Sequence, residues 1–163
     1  MLLANKETFD IEAALGFGSS ERLLTWAWRL IAQGRGDCPV LEREFAEACG
    51  EDAREVLATF VGFLQALVHT GRRWLVIGSP GSSERTADER RMLTLIAAAQ
   101  ADEPPLFEAH LDWLARAEAR HVLAIGARAL ATALSVHGLC LALPASAAAS
   151  GRNDAASTVA RLT

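Results

Sequence analysis

The chain has 163 residues, half of them hydrophobic and 22% charged, a size that suits one domain burying roughly 70% of its unfolded surface. That apolar content excludes disorder of the whole chain. The formal charge of −4 argues against a general binder of nucleic acid or anionic membrane, since both depend on a positive field.

Along the chain, residues 1–18 read as an N-terminal arm whose Lys6, Glu7, Asp10 and Glu12 interrupt any signal-peptide core. A single helical domain over residues 19–144 is expected to follow, then an Ala/Ser-rich tail over 145–163. Ser19, Ser20 and Glu21 offer a helix start, with Leu23, Leu24, Ala27, Leu30 and Ile31 at helical spacing and Gly34 as a stop. A short second helix begins near Asp37 and Pro39, with Leu41, Phe45 and Ala48 on one face, and Gly50 closes it. A third runs from Asp52 to about Thr70. Its apolar positions Val56, Leu57, Phe60, Val61, Phe63, Leu64, Leu67 and Val68 cover most of the circumference, which predicts a helix enclosed by others.

Residues 72–77 read as a short strand, followed by the breaker run from Gly78 to Ser83. Thr86 and Glu89 form a capping-box pattern that launches a fourth helix with Met92, Leu93, Ile96 and Ala99 inward. Pro104 and Pro105 start a fifth, with Leu106, Phe107, His110, Leu111 and Leu114 on its apolar face. A sixth, from about Glu118 to His137, is Ala-rich and reads as the second central helix. Residues 139–143 form another apolar stretch, whose expected partner is residues 74–77 of the first strand because lone strands leave backbone groups unsatisfied. The expected fold is thus all-α, about six helices around two central apolar helices, with a minor two-stranded β ribbon. The predicted core includes Phe60, Leu64, Leu67, Leu93, Ile96, Leu111, Ile125 and Leu130.

Little in the sequence points to chemistry. Cys38, Cys49 and Cys140 are odd in number and lack a C-x-x-C, which fits a reducing cytoplasm and no cysteine metal site. Glu118 and His121 form one Glu-x-x-His pair, half of what a di-metal bundle uses. His69 and His137 precede glycine stops and read as caps. No nucleophile, base and orienting acid are spaced as a catalytic set, and no cofactor is implied. The loop from Gly78 to Thr86, with Arg72, Arg73, Ser82, Ser83, Arg85 and Arg90 around it, resembles a phosphate cradle in outline. It departs from a P-loop at its missing Gly-Lys-Ser/Thr end.

Residues 42–56 resemble a helix-turn-helix at Ala46, Gly50 and Val56, but residues 42–55 hold six acids against Arg43 and Arg54, which opposes phosphate contact. The stretch FLQALVHTGRRWLVIGSPG, followed by TADERRMLTLIAAAQ, resembles small uncharacterised bacterial all-helical single-domain proteins over residues 20–143. The resemblance implies a free-standing domain and no activity. Trp28 and Trp113 lie off the main stripes of their helices and are expected at a surface covered by another chain. The expectation is a non-enzymatic cytoplasmic interaction or scaffold module that self-associates. The alternatives are a regulator binding a small anion at the Arg-rich loop and, disfavoured by its acidity, a DNA binder.

Overall fold

The computed structural model describes residues 18–145; the predicted arm and tail otherwise lie outside them. The described residues are all-α. In chain order they form α1 (Ser19–Ala32), α2 (Pro39–Cys49), α3 (Ala53–Thr70), α4 (Ala87–Gln100), α5 (Pro104–Leu114) and α6 (Arg120–Val136). Single 3-10 turns, Gly50–Asp52 and Ala117–Ala119, lead into α3 and α6.

The local signals act largely as expected, with one exception at the first helix. Thr86 caps α4 in a complete capping box, its hydroxyl accepting from the Glu89 N–H while the Glu89 carboxylate accepts from the Thr86 N–H. Prolines occupy the first turns of α2 and α5, where a missing N–H costs no helical bond. Gly50 turns the chain between α2 and α3 at φ 61°, a region that disfavours other residues. The exception is α1, whose N-cap is Gly18 and not Ser19 or Ser20.

Helices α3 and α6 lie antiparallel. His137 after α6 reaches Asp52 before α3 at 3.5 Å, and at the far end Arg116 N–H donates to the Thr70 carbonyl at 2.8 Å. Neither helix is enclosed, which corrects the expectation of two central apolar helices. Each buries one stripe: Val56, Phe60, Phe63, Leu64 and Leu67 from α3, Leu123, Ala127, Leu130 and Leu134 from α6. The opposite faces meet solvent, and Ile125, placed in the core by periodicity, is 66% exposed. The other seven predicted core residues are buried.

The enclosed helix is α1, in which Ser20, Glu21, Thr25 and Arg29 are buried together with Leu23, Leu24, Ala27, Trp28 and Leu30. Thr25, Arg29 and one carboxylate oxygen of Glu21 are bonded internally. Thr25 Oγ1 donates to the Glu21 carbonyl, and Glu21 Oε1 accepts from the Ala142 N–H. Internal partners remove the desolvation cost that would keep such a sequence at a surface.

The predicted β ribbon does not form. Among the described residues no strand is present, and residues 74–77 do not pair with 139–143. Side chains take the partner's place. Gln100 brackets the C-terminal stretch, donating to the Leu139 carbonyl and accepting from the Leu141 N–H, both at 2.9 Å. Val76 is bonded by the start of α4: its N–H donates to Asp88 Oδ2 at 2.8 Å and its carbonyl accepts from Thr86 Oγ1 at 2.6 Å. Where these backbone groups are bonded, side chains supply the partner.

Candidate functional site

The Arg-rich loop is built around a buried ion pair. Arg29 of α1 and Glu89 of α4 are 1% and 0% exposed, and the guanidinium donates from Nε to Oε1 at 2.8 Å and from Nη2 to Oε2 at 2.9 Å. The same guanidinium donates to the Ser82 and Glu84 carbonyls at 2.6 Å each. Glu89 also accepts from the N–H groups of Gly78 and Thr86. Arg29 thus pins the loop from inside and Glu89 occupies the start of α4, so the chain supplies its own anion at the helix N-terminus.

A second carboxylate, Asp88, lies beside it. It accepts from Val76 N–H, from Arg73 at 2.6 Å and from Arg91 at 3.3 Å. Both guanidinium groups also sit over the Trp113 ring, 4.1 Å and 3.7 Å from its centroid. Burial raises the pKa of each carboxyl; hydrogen bonds and nearby positive charge outweigh it and hold both Asp88 and Glu89 below the ordinary carboxylate range. His110 is held below its ordinary value by burial first and by the Arg91 charge second.

The structure disperses the predicted anion-site residues. Arg73 is committed to Asp88 and Trp113. Arg72 donates to the Asp112 carbonyl and Arg90 to that of Arg85. Ser82 donates to the Glu84 carbonyl, Ser83 is exposed and Arg85 is half-buried. Arg72, Arg73, Ser82 and Arg90 are thus each bonded within the protein. Of the predicted interface residues, Trp28 is corrected: at 5% exposure it is part of the core. Trp113 is half-buried beneath its two arginines. Among the described residues no three His, Cys, Asp or Glu side chains are grouped to hold a metal ion, and no helix is long and apolar enough to cross a membrane.

What sequence reasoning missed is the outer face of α3 and α6. Ala58, Gly62, Gln65 and Val68 of α3 and Val122, Ile125, Ala129, Thr132 and Val136 of α6 are all exposed. The helices meet at small residues: a Cβ on Gly126 would lie 3.7 Å from Phe63 Cα and 4.0 Å from Ala66 Cβ. No charge interrupts α3 between Glu55 and His69, and the single charge on α6 between His121 and His137 is Arg128. Arg128 leans over the Phe107 ring of α5 at 4.7 Å, away from this face. An open cleft of about 750 Å³ between α2 and α3 shares Ala58, Gly62 and Gln65 with it. The signal is legible in the sequence as an apolar surplus on both helices, which hydropathy alone places at the centre.

The ends of the pair differ in charge. Glu51, Asp52 and Glu55 outnumber Arg54 at one end; at the other, Arg72, Arg116 and Arg120 outnumber Asp112 and Glu118. No known protein family, curated protein or solved structure matches the chain.

Proposed function

We propose that the protein is a non-enzymatic, cytoplasmic interaction module that self-associates through the outer face of α3 and α6. The observation that carries this reading is the uncharged, largely apolar surface that the two helices leave open to solvent. Contiguous apolar surface of this kind is uncommon on monomers and marks interaction sites.

Size and charge support a second copy as the occupant. Helices of 17 and 18 residues, packed side by side, present a face about 26 Å by 20 Å. Two copies would bury roughly 1,000 Å², at the lower end for a specific interface. A two-fold axis perpendicular to the helices sets the acidic end of one copy against the basic end of the other, so the face is self-complementary. Free cysteines at three positions fit a reducing compartment.

Light scattering on the full chain at tens of micromolar tests the proposal. The expected mass is twice the 17.4 kDa of one chain, falling to one chain in Ile125→Asp with circular dichroism unchanged. A wild-type monomer, or an Ile125→Asp variant that stays dimeric, overturns it.

A further inference from the structure

Residues 74–78 connect α3 to α4 and carry the most exposed large apolar side chain among the described residues, Trp74 at 93%, with Val76 at 63%. Leu75 and Ile77, alternating with them, lean onto the core. The main chain alternates as well. Val76 turns both its N–H and its carbonyl toward the start of α4, and Gly78 N–H follows to Glu89 Oε1 at 3.0 Å. In an extended chain the N–H and carbonyl of one residue share a direction, and adjacent residues point to opposite edges. Leu75 and Ile77 therefore direct their N–H and carbonyl groups to the other edge, where no group among the described residues bonds them.

This segment belongs to no sheet: one edge is satisfied by side chains at the start of α4 and the other is open. An open edge beside exposed apolar side chains is a template for strand addition. The surrounding charge selects what can be added. Between Arg72 and Arg91 the chain carries five arginines and three acids, within a protein of net charge −4. Two of those acids, Asp88 and Glu89, are buried. Arg72 and Arg90 are exposed and donate only to the carbonyl oxygens of Asp112 and Arg85. We propose that the open edge of residues 74–78 binds an extended segment of a partner protein, acidic and with apolar residues at alternate positions. Main-chain bonds form at Leu75 and Ile77, the partner's apolar residues pack beside Trp74 and Val76, and its carboxylates are drawn by the arginines around the segment, Arg72 among them. Apart from Arg72, which stands at the basic end of the α3 and α6 pair, this surface shares no named residue with that face, and the proposal does not depend on self-association.

Calorimetric titration of the full chain with a short synthetic peptide of alternating valine and glutamate tests the proposal. Saturable binding is expected, weakened about 30-fold in Trp74→Ala, the usual effect of removing an aromatic anchor. Because Trp74 touches little of the fold, that variant keeps its circular dichroism and melting temperature. A peptide of the same sequence, N-methylated at alternate residues to block strand pairing, is expected not to bind in the register that faces the edge. The monomeric Ile125→Asp variant is expected to bind as the wild type does. No saturable binding overturns the proposal, as does equal affinity for a valine-lysine peptide, for both N-methylated registers or in Trp74→Ala. Displacement of the peptide by a single-stranded oligonucleotide, marking Trp74 as a base-stacking platform, also overturns it.

Discussion

Arg29 and Glu89, sixty residues apart in sequence, meet in the interior with both guanidinium-carboxylate bonds shorter than 3 Å, and together they anchor four further bonds to main-chain groups around one loop. A cation and an anion so deeply buried gain less from each other than their geometry suggests, because both leave water. Loss of one partner is a different matter. Arg29→Met strands the Glu89 carboxylate and frees the Ser82 and Glu84 carbonyls, and is expected to cost about 3 to 5 kcal/mol in urea denaturation. An Arg29→Met variant as stable as the wild type would show that the loop is held by other contacts.

Stability is expected to fall with acidity in two stages. Asp88, Glu89 and His110 all have native pKa values below their ordinary ones of 3.8, 4.5 and 6.5, so the unfolded chain takes up protons first as pH falls. The His110 contribution is complete above 6.5 and lessens as pH drops toward its native value. The carboxylate contributions are complete above the ordinary carboxylate range and are lost as pH passes down through the lowered native values. Urea midpoints measured from neutral pH to about pH 3 should fall throughout; a flat profile contradicts the burial of these groups.

Two apolar residues at equivalent depth in the sequence pattern should respond oppositely to truncation. Leu64→Ala empties a buried site in α3 and is expected to cost about 2 to 5 kcal/mol. Ile125→Ala removes a side chain already in water and should change the stability of the dilute, dissociated chain by less than about 0.5 kcal/mol. Thermal and chemical denaturation of the two variants side by side distinguishes the core from the open face.

Glycines at two contacts separate tolerance from requirement. A Cβ on Gly126 makes only ordinary contacts, so Gly126→Ala should stabilise α6 by about 0.5 to 1 kcal/mol through helix propensity. A Cβ on Gly78 would stand 2.9 Å from Arg29 Nη2, an atom held by Glu84 and Glu89 and unable to retreat. Gly78→Ala is therefore expected to destabilise, and a raised melting temperature would show that the guanidinium can move.

The sequence by itself determined the helices and their ends. Capping at Thr86, prolines at 39 and 104, glycine stops and the 3.6-residue stripe are local features, each decided within a few residues of itself. Seven of eight core residues followed from the same periodicity. Which helix lies at the centre was not a local question. Hydropathy placed apolar α3 and α6 inside, whereas the polar α1 is enclosed because Arg29 finds Glu89 and Glu21 finds the Ala142 N–H, partners 60 and 121 residues away. The β ribbon failed for the same reason: the need to satisfy backbone groups was legible, but the side chains of Asp88, Thr86 and Gln100 reached them first. Only the tertiary structure could decide which buried polar groups meet, and that decision moved the apolar surplus of α3 and α6 from the core to the surface.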